Sequence, residues 1–192
     1  MRRVKVEQAG RLDYRTRIID DLSEVGPERW NALLPGGPGD LFVRHEFLHA
    51  LHSSGCASVR TGWEPQYLTL WDGDTLKAAA PRYRKHHSYG EYVFDWAWAD
   101  AHERHGVEYY PKWLVAVPFT PVPGPRLLAA DAAAKEALAL ALQRAAEASG
   151  LSSVHTLFLP QEDAVRLAAL GQMTRRAVQF SCATATLTFE LI

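Results

Sequence analysis

The chain has 192 residues and 21.4 kDa, enough for one domain that buries roughly 70% of its unfolded surface without help from disulfides or metals. Hydrophobic residues make up 47% and charged residues 22%, a globular composition, and a net charge of −1 excludes attachment to nucleic acid or anionic lipid by bulk charge alone. Two cysteines form no disulfide framework and the start lacks the apolar stretch of a signal peptide, so a cytoplasmic protein is expected.

Residues 1–14 are polar and basic and read as a flexible N-terminus ahead of one domain over 15–192. Arg17–Leu22 reads as a strand, and Pro27 opens a helix through Leu34. After the Pro35–Gly39 breaker, Asp40 is expected to cap a helix over 41–54 that Gly55 stops. Gln66–Trp71 and Thr75–Tyr83 are strand-like runs joined by Asp72-Gly73-Asp74, a hairpin signal.

Ser88 and Glu91 fit a capping box that would open a helix to His105, with Phe94, Trp98 and Ala101 on its core face. Lys112–Phe119 reads as a central strand, and Asp131 caps an Ala/Leu-rich helix that ends at Gly150. Val154–Leu159, Glu162–Leu170 and Ala177–Leu191 follow as strand, helix and strand. The order describes an α/β domain with a mixed sheet, not a Rossmann alternation.

Three groups of residues could carry chemistry. His45-Glu46-Phe47-Leu48-His49 has the H-E-x-x-H spacing, which sets two imidazoles one helical turn apart beside a glutamate, as a zinc hydrolase requires. Chance placement on a packed helix is the alternative. Pro81–Glu91 gathers Arg82, Arg84 and Lys85 with two histidines and two tyrosines where a strand hands over to a helix; it reads as a pocket for a phosphate or carboxylate, or as a solvated strand end. His102, His105, Tyr109, Tyr110 and Lys112 gather before the central strand, with Asp95 and Asp100 upstream, where a tyrosine or histidine could shuttle a proton or simply pack. Cys56 reads as a buried or semi-buried thiol. No G-x-S-x-G, Walker or G-x-G-x-x-G motif occurs.

Two long blocks resemble a known family. His87–Ala101 (HSYGEYVFDWAWADA) and Tyr109–Leu128 (YYPKWLVAVPFTPVPGPRLL) resemble the signature of bacterial FemAB-like proteins of peptidoglycan biosynthesis/recognition, within the GNAT-like acyltransferase group. His45–Leu48 and Thr61–Leu68 are similar to upstream blocks, so the resemblance covers roughly residues 40–180. It implies a GNAT-like mixed-sheet fold and acyl transfer to an amine, with acyl-CoA or aminoacyl-tRNA as donor substrate, a peptidoglycan precursor as possible acceptor, and no permanently bound cofactor or metal. A non-catalytic module that recognises the precursor is the alternative. The implied site sets Lys85, His87, Ser88, Tyr89 and Glu91 across a cleft from Tyr110, Lys112 and Arg126. Glu91 or Tyr110 would serve as base, Lys85 and Arg126 would pair with substrate anions, and Asp95 and Asp100 would orient an amine or stay solvated on the helix back; Glu91 as capping partner stays open. The pyrophosphate loop of acetyl-CoA users is replaced by Pro123-Gly124-Pro125-Arg126, and after Val178-Gln179-Phe180 the family's His-Trp-rich run gives way to Ser181–Thr186. Relatives implied by the resemblance carry two halves, of which this chain corresponds to the first. A site built between two halves would be incomplete here.

Overall fold

The computed structural model describes residues 14–191 apart from Phe94, Ala177, Thr184 and Ala185, so the expected N-terminal flexibility of residues 1–13 lies outside the described residues. The chain divides into two units, Met1–Pro160 and Gln161–Ile192.

The first unit is built on two four-stranded sheets. One carries, in spatial order, β1 (Arg15–Ile19), β3 (Tyr67–Asp72), β4 (Thr75–Ala80) and β7 (Leu128–Ala129), all antiparallel. The β3–β4 hairpin turns at Gly73, whose φ of +55° suits glycine, as the Asp-Gly-Asp signal predicts. The run expected as one strand over 75–83 breaks at Pro81. Proline has no N–H to give the ladder, and there the chain leaves the first sheet and enters the second as β5 (Arg82–Lys85).

The second sheet runs β2 (Trp63–Pro65), β5, β6 (Lys112–Val115) and β8 (Val154–Thr156). Its β6 pairs antiparallel with β5 and parallel with β8, so the sheet is mixed, and every residue of β6 is buried. Register sets Trp63 opposite Lys85 and Lys85 opposite Lys112. Two lysines thus stand side by side in the core, which is unfavourable unless anions are brought to them.

Helix α4 (Ala132–Ser149) lies between β7 and β8 in the chain and follows the sequence reading closely: the Asp131 carboxylate accepts from the Ala134 amide at 2.8 Å, and Gly150 ends it at φ +66°. Its Ala134, Leu138, Ala139 and Leu142 are buried, and the small Ala78–Ala80 run of β4 lets it approach. Helix α1 is confined to Pro27–Asn31, and α2 starts only at His45 and ends at Ser53. Asp40 does not cap α2; its carboxylate accepts from the Gly36 and Gly37 amides at 2.6 and 2.8 Å, holding a 3-10 turn over Pro38–Val43. The Asn31 side chain takes the capping role instead, accepting from the His45 amide at 3.0 Å. Trp30 sits fully buried beneath, donating to the Val43 carbonyl at 2.8 Å and meeting Tyr67 edge-on.

Helix α3 departs most from expectation. It spans Trp96–Arg104 rather than opening at Ser88, and none of its residues is buried. Trp98 is exposed, so the expected core face does not exist; Phe94 lies outside the described residues. Cys56 is likewise exposed rather than packed.

The second unit holds α5 (Gln161–Ala169) and a hairpin of β9 (Val178–Ala183) and β10 (Thr186–Leu191), with Ala183 opposite Thr186. The single strand expected over 177–191 is therefore two.

Candidate functional site

The paired lysines of the second sheet organise the site. Lys85 and Lys112 are both fully buried, and the segment Ser88–Asp95, between β5 and α3, returns over them with two carboxylates. The Lys112 ammonium donates to Glu91 Oε2 at 2.9 Å and to Asp95 Oδ2. Asp95 also accepts from the phenols of Tyr109, at 2.7 Å, and Tyr110, at 3.0 Å. Glu91 and Asp95 are each 3% exposed. Two cations and two anions are thus enclosed together, and their formal charges balance.

The two carboxylates titrate in opposite directions. Burial raises Glu91 above the usual carboxylate range, against the opposing pull of Lys112. Burial also pushes Asp95 up, but the hydrogen bonds from Lys112, Tyr109 and Tyr110 outweigh it and hold Asp95 below that range. Burial lowers the Lys85 ammonium to about 7, against the attraction of Glu91. Tyr110 is pushed up to about 12, first by burial and then by the Asp95 charge, so its phenol stays protonated at neutral pH.

Trp63 pins the segment from below. Its ring lies 3.8 Å from the Lys85 ammonium, its indole N–H donates to the Tyr89 carbonyl at 3.2 Å, and Lys85 donates to the same carbonyl at 3.1 Å. Trp63 also packs on Phe119, whose ring abuts Gly90. Gly90 has φ +79°, and a Cβ there would stand 2.6 Å from the Phe119 ring, so only glycine fits.

A cleft of about 350 Å³ opens beside this cluster, walled by His87–Tyr89, the first turns of α3 and Tyr110. His87, Ser88, Tyr89, Asp100 and Tyr110, all expected at the site, line it together with Trp96 and Ala99, which sequence reasoning did not single out. Their signal was available in the Trp-Ala-Trp-Ala run at the start of α3, whose tryptophans are exposed. Two lining residues touch the charge cluster: the Tyr110 phenol bonds the Asp95 carboxylate, and the Tyr89 carbonyl accepts from Lys85.

Other expected site residues are placed differently. Lys85, Glu91, Asp95 and Lys112 form the buried cluster rather than the cleft wall. Glu91 reaches Lys112 rather than capping a helix, while its own amide closes a turn onto the Ser88 carbonyl. Arg126 is 1% exposed and spends its guanidinium on the carbonyls of Val122 and Pro125, at 2.8 and 3.1 Å. The H-E-x-x-H residues do lie on α2. His45 points Nε2 at the Leu22 carbonyl, 3.0 Å away, its ring stacks on His49, and Glu46 turns outward to Asn31 and Arg44. Among the described residues no three His, Cys, Asp or Glu side chains are grouped to hold a metal, and no helix is long and apolar enough to cross a membrane.

Comparison with known proteins gives one assignment. No curated protein and no solved structure matches the chain. Residues 21–188 match the FemAB-like family, described as peptidoglycan biosynthesis/recognition, and this span contains both sheets' central strands, the charge cluster and the cleft. By that match the chain belongs to the FemAB-like family of peptidoglycan biosynthesis/recognition proteins.

Proposed function

We propose that the chain is a GNAT-like N-acyltransferase domain that holds an amine of a peptidoglycan precursor in the cleft beside Tyr110 and transfers an acyl or aminoacyl group to it. The observation that carries this reading is the link between cleft and cluster: the side chain through which the cleft wall meets the buried Asp95 carboxylate is the Tyr110 phenol, and paired groups with opposed titration are the usual setting for acid–base chemistry. The donor is an acyl-CoA thioester or an aminoacyl-tRNA ester. The amine nitrogen attacks the acyl carbon, the C–N bond forms, the C–S or C–O bond breaks, and the nitrogen's proton ends on the departing sulfur or oxygen. Tyr110 is the residue at the amine: its oxygen accepts an N–H hydrogen bond and aims the nitrogen lone pair. Glu91 and Lys112 act at one remove, by holding Asp95 in place.

A second reading is favoured by one fact. Glu91, the carboxylate with the raised pKa, is enclosed and already engaged by Lys112, as suits a scaffold in a module that only recognises the precursor.

One assay separates the two. The full chain is incubated with a UDP-linked peptidoglycan precursor and, in parallel, acetyl-CoA or a mixed aminoacyl-tRNA pool, and products are weighed by mass spectrometry. Transfer predicts a precursor heavier by one acyl group, with the rate falling roughly 10- to 100-fold in Tyr110→Phe. Precursor binding without transfer from either donor establishes the recognition module.

A further inference from the structure

The face of the second sheet opposite the lysines carries side chains that the cleft chemistry does not use. Side chains alternate along β5 and β6, so Lys85 and Lys112 share one face while Arg82, Arg84 and Trp113 share the other. Arg84 stands directly across from Trp113, and the Arg82 guanidinium carbon lies 4.0 Å from the centre of the Trp113 ring. Arg82 is 1% exposed. Its Nε donates to the Gln66 carbonyl at 2.9 Å, but its Nη2 is buried without an acceptor. Trp113 Nε1 and Arg84 Nε are buried without one as well.

Charge adds to this. Lys112 meets two carboxylates, whereas among the described residues Arg82 meets none. Glu64, across from Arg84 on β2, turns to Arg84 Nη1 at 4.0 Å and to His86 at 3.4 Å. Burial lowers Arg82 to about 10, with no anion to pull it back. A guanidinium keeps its proton at neutral pH, so the charge is not shed, and a water molecule would answer an N–H without balancing it. Two guanidinium groups and an indole N–H on adjoining side chains make a donor set for an oxyanion.

We propose that Arg82, Arg84 and Trp113 bind the oxyanion of a phosphate group, at a site separate from the cleft and independent of the transfer reaction proposed above. Donors from three side chains suit the several oxygens of a phosphate better than the two of a carboxylate. The Arg84 side chain is 41% exposed, so this face meets solvent at its end of the strand. The phosphate is either the inorganic ion or part of a nucleotide.

The test titrates the ¹⁵N-labelled full chain with inorganic phosphate, UDP and acetate, against chloride at equal ionic strength. Binding is read at the Trp113 indole ¹H–¹⁵N signal, assigned by its loss in Trp113→Phe. Phosphate is expected to shift that signal saturably and to bind at least about tenfold more tightly than acetate. Tighter binding of UDP than of phosphate identifies a nucleotide as the source, and equal or weaker binding identifies the inorganic ion; both support the site. Arg82→Met is expected to weaken phosphate binding at least about tenfold. Without phosphate that variant should be as stable as the wild type or more so, because it removes an unbalanced buried charge. An unshifted Trp113 signal with phosphate and UDP, acetate binding as tightly as phosphate, or equal phosphate affinity in Arg82→Met overturns the proposal. A loss of stability in Arg82→Met that is the same with and without phosphate also overturns it, by making Arg82 a structural residue. No acyl donor or acceptor amine is present, so this result and the transfer assay fail separately.

Discussion

Lys112→Met tests whether the buried charges are held as a unit. Lys112 is fully buried, and its ammonium is the donor that Glu91 and Asp95 share. Methionine fills a similar volume, so the packing loss is small and the effect is electrostatic. Removing one partner of a buried pair typically costs about 3–5 kcal/mol, because an uncompensated charge remains inside. Here two carboxylates at 3% exposure lose their common partner, and the one cation left beside them, Lys85, titrates near 7 and carries little charge at pH 8. The upper part of that range is therefore expected at pH 8, or a fall in Tm of about 8–20 °C for a chain of this size. Acid should narrow the gap. In the variant both carboxylates keep protons that the unfolded chain has released, so stability falls as pH rises, and the cost at pH 5 is smaller than at pH 8. Adding Glu91→Gln and Asp95→Asn removes the stranded charges and recovers much of the loss. Urea unfolding at the two pH values measures all of this. A cost under about 1 kcal/mol at pH 8, or one that does not shrink on acidification, would refute the enclosed cluster.

Two further predictions follow from the same geometry. Lys85 titrates near 7 when folded and near its ordinary value when unfolded, so from pH 7 to about 10 the unfolded chain binds more protons and stability rises with pH. One such group contributes a slope of no more than about 1.4 kcal/mol per pH unit. Above pH 10 the direction turns for the tyrosines, since Tyr67 and Tyr110 keep their protons to about 12. Unfolding curves across this range should show the rise in the wild type and lose it in Lys85→Met; equal slopes in the two would sink the assignment. Gly90→Ala places a methyl against the Phe119 ring at a left-handed φ and should cost roughly 2–5 kcal/mol. Phe119→Ala relieves the clash, so the double variant should be less damaged than the sum of the singles, and strict additivity would mean the ring is not the obstacle.

Features decided within a few residues were legible in the sequence. The Asp72–Asp74 turn and both ends of α4 follow from turn chemistry and capping that need no distant partner. Features decided by distant partners were not. Ser88-x-x-Glu91 has the spacing of a capping box, but Lys112, 21 residues on, offers Glu91 a full charge in a dry interior, which outweighs an exposed backbone amide. The helix consequently starts at Trp96, and the Ser88 hydroxyl accepts the Trp96 indole N–H instead of capping it. Trp98 illustrates the reverse error: helical spacing of large apolar residues implied a core face, yet α3 turns its tryptophans outward. His87–Tyr89, Asp100 and Tyr110 do come together around one cleft, because aromatic and ionisable residues crowd the two blocks that fold together there. Arg126 was misplaced for a physical reason as well, since the carbonyls of a proline-rich loop lack amide partners within the loop and draw its guanidinium inward.

The lysine pair poses an energetic question that bears on function. Apolar residues at Lys85 and Lys112 would continue the buried faces of β5 and β6 without any need for counterions, and buried ion pairs are commonly no better than such replacements. Stability alone therefore does not account for four enclosed charges. What the charges supply is placement. A fixed ammonium on the central strand draws Asp95 to one spot, and Asp95 orients the phenols of Tyr109 and Tyr110. Each of these bonds has only one possible donor direction, so the Tyr110 oxygen faces the cleft with little freedom to turn. A ligand then meets groups already aligned and spends none of its binding energy on ordering them. On this view Asp95→Asn is the more damaging change at the cleft. An amide in place of the carboxylate can donate as well as accept, which removes the fixed acceptor that Lys112 and both phenols share.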